Sequence, residues 1–461
     1  MIEVKETSLK SILDRAINEA KNNHTSPLLS MTKKINDIDP LRFFEAAEQL
    51  SMNRTFWSTT ADAFYIVGAG NAYDLAAGAN AIEQMEEKWQ KLLAESIIHN
   101  PYETPGTGLM TLGGMSFDPA AHKSEQWKNF SHLSFIIPEF ILTKNENICY
   151  LTINIRVRED DHPGQLTGRI KRIENTLCDS SVNIPRGTGV ESTEDIAPDE
   201  WKQTVKFAAD YIKQSHAAKI VLARELRVKL SDKAQITPVL GKLIETQTNS
   251  YVFAFERDED CFVGSSPERL VKQNKDELLS TCLAGTAPRG KTQKEDARIG
   301  SSLLHDEKNR SEHDFVVKMI RQSMEQYCHA VDVPEKPVIY PFKNLQHLYT
   351  PVTATLEEGY SIFDIIGKLH PTPALGGVPR EKSLKFIRNH ERLDRGWYGA
   401  PVGWLDSNSC GEFAVAIRSG LIQGDKASLF AGCGIVRDSD PEAEYEETNI
   451  KFMPMLSVLG G

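Results

Sequence analysis

The sequence predicts an α+β fold: one large domain of antiparallel β-sheets packed as a sandwich, with helices on the outside. Three observations predict it. Short strand-like runs follow one another through tight turns, helix-period segments come in separate blocks, and one long stretch (132–155) reads as a hairpin. Strands and helices segregated in this way favour antiparallel pairing over a doubly wound parallel sheet.

Residues 8–22 place Leu9, Ile12, Leu13, Ala16, Ile17 and Ala20 on one helical stripe, and a second helix is expected over Leu41–Leu50. FYIVGAGNAYDL (64–75) reads as a strand running into glycines. A dinucleotide fingerprint needs glycine at 73, and Tyr73 stands there, so a tight strand–helix turn is the expectation. Residues 80–97 form an amphipathic helix with Ile82, Met85, Trp89 and Leu93 on its stripe. A strand follows at 109–117. The 132–155 hairpin turns at KNEN, and Pro138 assigns its first arm to a sheet edge or a bulge.

Residues 179–200 are rich in Ser, Thr, Gly, Pro and acids and read as a loop or linker. The expected organisation is therefore 1–178 as an α+β portion completing the same domain, 179–200 as the linker, and 201–461 as the functional region. That region opens with a helix over Asp199–Ser215 and the strand KIVLARELRVKL (219–230). Leu226, Val228 and Leu230 alternate there with Glu225, Arg227 and Lys229, so one face is wet. A strand–turn–strand spans 251–271, helices are expected at 292–306 and 311–327, and glycine-rich strands close the chain.

A chain of 461 residues with 40% hydrophobic content can bury a large core. Its net charge of −11 argues against nucleic-acid binding and against an anionic membrane surface. Seven cysteines without a C-x-x-C pair indicate neither a zinc knuckle nor a disulfide framework. No apolar signal core and no run of 18 apolar residues occurs, so a cytoplasmic location is expected.

Several residues are candidates for chemistry. In AGCGIVRDSDPEAEYEETNIK (431–451), Ser439, Asp440 and Pro441 form a helix start. Glu444, Glu447 and Lys451 then share one face, where two carboxylates suit a hard cation and the lysine an anion. An acidic first turn that complements the helix dipole is the plainer alternative. Gly432 lets a backbone approach a ligand. Lys219 enters an apolar strand, where desolvation favours the neutral amine, or it snorkels at the strand edge. Glu268 follows Ser-Ser-Pro on a turn, either as a general acid or as a cap. Glu312 lies at the boundary of a helix's apolar face, and His313 beside it reads as a structural group. His370 sits in the rigid loop KLHPTPALGGVP. Arg418 lies among apolar residues and needs an anionic partner, a substrate carboxylate or a salt bridge.

Taken together, KIVLARE, GSSPERLV, LAGTAPRG, EKNRSEHDFVV, LHPTPALGGVP, ERLDRGWYGAPVGWLD, GEFAVAIRSGLI and the 431–451 block resemble, in order and separation, the chorismate-utilising enzymes. The blocks cover about residues 215–460; the N-terminal region matches only through LGGMSFD and IIPE. The resemblance implies a single chorismate-binding domain. Within the family, Lys219, Ala284 and Ala374 point to the isochorismate-forming branch: amine-forming members lack the lysine, aminodeoxychorismate synthases carry a lysine at the position of Ala284, and lyase members tend to have threonine at that of Ala374.

The implied reaction adds water at C2 of chorismate as the C4 hydroxyl leaves. Lys219 would be the base and Glu268 the acid. Mg²⁺ would be held by Glu312 and Glu447, with Glu444 direct or through water. Arg418, Tyr398 and Lys451 would hold the enolpyruvyl carboxylate; Gly285, Gly432 and Thr286 would complete anion binding, and His370 would line the ring site. Menaquinone supply is the implied pathway, with a catechol-siderophore isochorismate synthase or a salicylate synthase as alternatives. No glutamine amidotransferase subunit is expected.

Overall fold

The computed structural model describes residues 9–77, 82–341 and 345–460. Among these residues the strands form two sheets. One has 13 strands and the other 10, and apart from one short parallel edge pair (29–31 with 97–99) every pairing is antiparallel. The larger sheet carries, from its centre outward, Arg54–Thr59, Tyr251–Arg257, Asp260–Ser266, Ser419–Gln423, Lys426–Ile435 and Lys219–Leu230. The smaller carries Met110–Met115, Pro401–Asp406, Cys410–Val415, Arg269–Asn274, Glu277–Pro288 and Leu345–Leu356.

The sheets face each other across an aromatic core. Trp57, Phe253, Phe255 and Phe262 come from the larger sheet, Trp404 and Leu112 from the smaller, Trp127 from the short 3-10 helix Glu125–Trp127, and Phe130 and Trp397 from loops. Each such ring contributes about 1.5–3 kcal/mol by burial. Edge-to-face pairs such as Phe130–Trp397, with centroids 5.1 Å apart, fix their mutual geometry. Helices cover the outer faces. Leu9–Asn23, Pro40–Gln49 and Ile236–Thr246 lie on the larger sheet. Ile82–Glu95 and Ile362–Leu369 lie on the smaller. The expected sandwich with outer helices is the fold.

The chain passes repeatedly between the sheets, and this explains where local expectations differ. Pro138 is neither on an edge nor in a bulge. It separates Leu133–Ile137, in the smaller sheet, from Phe140–Asn145, in the larger. A proline cannot donate to a ladder, so it marks the break. The glycines after Phe64–Ala69 do not lead into a helix: Gly70 turns at φ +77° and the chain continues as the strand Tyr73–Ala77 of the smaller sheet. The helix expected at 80–97 spans Ile82–Glu95, its first two expected residues lying outside the described ones. Within 179–200, Val190–Asp195 forms an edge strand on Lys219–Leu230. The seven cysteines are free thiols. No helix among the described residues is long and apolar enough to cross a membrane.

Candidate active site

Two crossovers between the sheets lie side by side and place two charges at one spot. The chain leaves the larger sheet at Ser266 and enters the smaller at Arg269, which leaves Glu268 in the turn. It returns from Val415 to Ser419, which leaves Arg418 in the opposite turn at φ +49°. Backbone bonds tie the turns together: Ser265 N–H donates to Arg418 O at 3.0 Å, and Val415 N–H to Glu268 O at 3.0 Å. Next to Glu268, Arg269 is fixed by Glu412 at 2.8 Å, which also accepts the Tyr251 hydroxyl.

Glu268 keeps some surface exposure, but protein surrounds it on most sides. Burial pushes its carboxyl up to about 7, against the pull of Lys219 and Arg418. It is therefore a proton donor near neutral pH. Burial lowers the Arg418 guanidinium from its ordinary value, with Glu268 opposing.

Lys219 begins the strand Lys219–Leu230. Its carbonyl accepts from Ser383 Oγ at 2.9 Å, and its backbone pairs with Val378. The side chain crosses Gly434 of the neighbouring strand Lys426–Ile435. The side chain is 23% exposed, and its Nζ donates to Glu312 Oε1 at 2.7 Å. Glu312 reaches it from the helix Glu307–Met324, which His313 pins to the smaller sheet. That buried ring donates from Nδ1 to Ala284 O at 3.1 Å and accepts from Thr350 Oγ1 at Nε2, 2.7 Å. Burial lowers its basicity, so it is a neutral anchor.

The C-terminal helix Pro441–Val458 starts as expected, with Asp440 accepting from Glu442 and Ala443 N–H and Pro441 in the first turn. Lys451 Nζ donates to Gly432 O at 2.8 Å and to Glu447 Oε1 at 2.7 Å. Glu444 approaches Cys433, whose thiol burial raises far above its usual range. Buried Tyr398 lies over Phe430, and a Cβ at Gly432 would come 3.3 Å from its hydroxyl.

On the smaller sheet, Gly285 makes a bulge at φ +76°, which a side chain would strain. The bulge brings Thr286 opposite His347, with Oγ1 3.0 Å from Nδ1. Burial and Arg418 push His347 down to about 4, so it is neutral. This histidine was missed in the sequence, where LQHLY shows no local signal; only its pairing across the bulge reveals it.

His370 stands elsewhere. Its Nε2–H donates to Phe117 O at 3.0 Å, its ring packs edge-on to Phe117, and the charged groups near it are Arg380 and Asp118. None of these belongs to the cluster around Lys219. The reason is local: His370 ends the helix Ile362–Leu369, and its ring turns back against the N-terminal portion. The other candidates gather around the strand pair 219–230 and 426–435 and the two crossovers.

Among the described residues, no group of three His, Cys, Asp or Glu side chains converges as a ready metal site. Glu312 and Glu447 are each paired with a lysine of the cleft. Their donor chemistry, hard carboxylate oxygens, fits a hard divalent cation such as Mg²⁺.

The chorismate binding enzyme family matches residues 15–460, nearly the whole chain. The chain belongs to that family. The isochorismate synthase MenF of Bacillus subtilis is 41% identical over 466 residues, covering 99% of this chain and 98% of the relative. The salicylate biosynthesis isochorismate synthase of Pseudomonas aeruginosa is 34% identical, covering 98% and 95%. Among solved structures, the menaquinone-specific isochorismate synthase MenF from Escherichia coli superposes with a TM-score of 0.79 at 23% identity. It covers 97% of this chain and 99% of that one, a likeness of fold. As a member of the family, the chain shares its fold with anthranilate synthase component I from Streptococcus pneumoniae, at a TM-score of 0.69 and 18% identity over 85% and 92% of the two chains.

Proposed function

We propose that this chorismate binding enzyme is an isochorismate synthase, Mg²⁺-dependent, that opens the route to menaquinone. The observation that carries the reading is an amine near a carboxyl whose burial favours its protonated form. Lys219 and Glu268 come from different elements and feel each other's charge, and the carboxyl is poised near pH 7. Full-length identity to a protein named isochorismate synthase supports the substrate and the reaction.

Water is a poor nucleophile and hydroxide a poor leaving group, so the exchange needs one group to take a proton and one to give it. Lys219 accepts the proton of the water that bonds to C2. Glu268 donates its proton to the C4 oxygen as that C–O bond breaks. Both ring double bonds move one place, C1=C2 to C1=C6 and C5=C6 to C4=C5, and one water enters as one leaves. To act as base, Lys219 must first be free of Glu312.

Arg418, Tyr398 and Lys451 hold the enolpyruvyl carboxylate, with the backbone at Gly285 and Gly432 and the Thr286 hydroxyl completing the anion site. His347, neutral and bonded to Thr286, belongs to this wall. Glu312 and Glu447 would hold the cation, with Glu444 beside them. When bound, a hard cation offsets the charge of the ring carboxylate in an acidic protein. The menaquinone assignment follows the MenF relatives, and the enzyme would work in the cytoplasm without an amidotransferase subunit.

The test is conversion of chorismate with Mg²⁺, products separated by chromatography and pyruvate assayed in parallel. Isochorismate without pyruvate is the expected result. Salicylate with pyruvate would move the protein to the lyase branch, and no conversion with or without ammonia would reject the reading.

A further inference from the structure

Between its two short partners, the strand Lys219–Leu230 has a stretch of open edge. Gly377–Val378 pairs with it at 219–220, and Val190–Asp195 at 226–230. Across 221–225 no strand among the described residues lies alongside on that edge; Ile196 N–H donates to Glu225 O, and the other backbone groups must find other partners. Side chains supply most of them. Arg395 Nη2 donates to Val221 O at 2.8 Å, Ala223 N–H donates to Glu391 Oε2 at 2.7 Å, and Trp201 Nε1 donates to Ala223 O at 3.0 Å. Arg395 and Glu391 are themselves paired at 2.6 Å, each side chain only 3% exposed.

A cavity of about 510 Å³ lies against this edge, on the side of the strand away from Gly432 and Gly434. Phe117, Trp127, Phe130 and Trp201 are among its lining residues, all of them buried. Ser124 Oγ is buried in the wall with no hydrogen-bond partner in the protein. The rim carries two arginines in surface ion pairs. Arg392 meets Glu200 at 2.5 Å with side chains 80% and 50% exposed, and Arg388 meets Asp118 at 2.8 Å. The exposed Arg392–Glu200 pair is weakly held and can exchange partners, whereas the largely buried Asp118 holds Arg388 in a two-pronged bond.

The geometry points to a second ligand site here, for a small planar aromatic carboxylate, separate from the chorismate cleft. Aromatic walls take a flat ring. A guanidinium at the mouth takes a carboxylate in a two-pronged hydrogen bond.

Occupancy would be felt in the active site. Ala223, whose N–H and carbonyl are held by Glu391 and Trp201 in the cavity wall, lies opposite Gly432 in the strand ladder. Gly432 O is the acceptor for Lys451, and Lys219 is four residues upstream on the same strand. A ring that shifts Trp201 or Glu391 shifts the strand carrying Lys219 against the strand carrying Gly432.

The experiment titrates 2-naphthoate into the full chain by calorimetry, with 2-naphthamide as a neutral probe of the same shape. The expected result is one saturable site, about tenfold weaker for the amide, and no displacement by chorismate. Arg392→Ala, at an exposed position, is expected to weaken 2-naphthoate binding about tenfold. Thr204→Trp, which fills the cavity from the helix Pro198–Lys213, is expected to abolish it while the circular dichroism spectrum stays native. Absence of binding, displacement by chorismate, or unchanged affinity in the Arg392→Ala and Thr204→Trp variants would overturn the site. The second arm, which rests on the proposed reaction, measures turnover: 2-naphthoate should change the kcat or KM for chorismate in the wild type and not in Thr204→Trp. A protein that binds 2-naphthoate as described but converts no chorismate would reject the proposed reaction and leave this site standing.

Discussion

Gly434 lies under the side chain of Lys219: a Cβ built at 434 would sit 2.5 Å from Lys219 Cε and 3.2 Å from its Nζ. The glycine is there because the lysine must cross its strand to reach the cleft. A methyl group would displace a flexible side chain rather than backbone, so Gly434→Ala should fold. Its kcat should fall by about 10- to 100-fold, the effect of misplacing a reacting group by about an ångström. Steady-state kinetics beside a thermal melt checks both halves.

Lys219→Ala removes the proposed base outright. Turnover should drop by about 10²–10⁴-fold while the far-ultraviolet spectrum is retained. Persistent turnover would mean that another group activates the water.

Glu268 gives a pH signature. Its carboxyl titrates near 7 in the folded protein, so the acid form prevails below that pH and is lost above it. kcat/KM should therefore fall on the alkaline side with a midpoint near 7. Glu268→Gln should lower the rate by about 10²–10⁴-fold and flatten that limb. Stability follows the same sign. A carboxyl with a raised folded-state value binds its proton more tightly folded than unfolded, so its contribution declines as pH rises from about 4.3 toward 7.

For the cation, Glu447→Gln is the informative change. Mg²⁺ binding followed by calorimetry on the substrate-saturated protein should weaken about tenfold or more. An unchanged titration would remove Glu447 from the ligand set.

Away from the site, Arg54 joins two strands through a buried fork. Its Nε and backbone N–H both donate to Glu256 Oε2, at 2.8 and 3.0 Å, and its guanidinium lies 4.3 Å from the Phe44 ring centre. Arg54→Ala leaves Glu256 buried without its cation, and should cost about 3–5 kcal/mol in a denaturant melt. Replacing both residues by methionine should cost far less.

The sequence made some of this legible and not the rest, for identifiable reasons. Helix starts were readable because capping is local: Asp440 and Pro441 announce the C-terminal helix four and three residues before its first site glutamate, Glu444. Period-two alternation says which face of a strand is dry, but not which of two sheets it joins. The expectations at Pro138 and after Gly70 therefore missed the crossovers. Glu268 was legible on its turn after Ser-Ser-Pro and Arg418 as an arginine among apolar residues, and the resemblance added their roles; nothing local says that the two turns touch. His370 was named for its rigid loop, and rigidity does not fix direction. His347 lay in an unremarkable strand, and its importance comes from a partner about sixty residues away across a glycine bulge.

The way the two sheets are stitched has a consequence for how the chain is made. In the larger sheet, Arg54–Thr59 pairs with Tyr251–Arg257; in the smaller, Met110–Met115 pairs with Pro401–Asp406. All four strands are buried or nearly so along their length. During synthesis the first portion thus emerges with two apolar strand edges whose partners do not yet exist, and the second of those partners follows only roughly 290 residues after the strand it pairs with. Such edges invite pairing with neighbouring nascent chains, and long-range ladders close slowly. Yield in a cell should therefore track holdase chaperone supply more closely than equilibrium stability, and a chain nicked within 179–200 should leave two pieces that find each other again through these same edges.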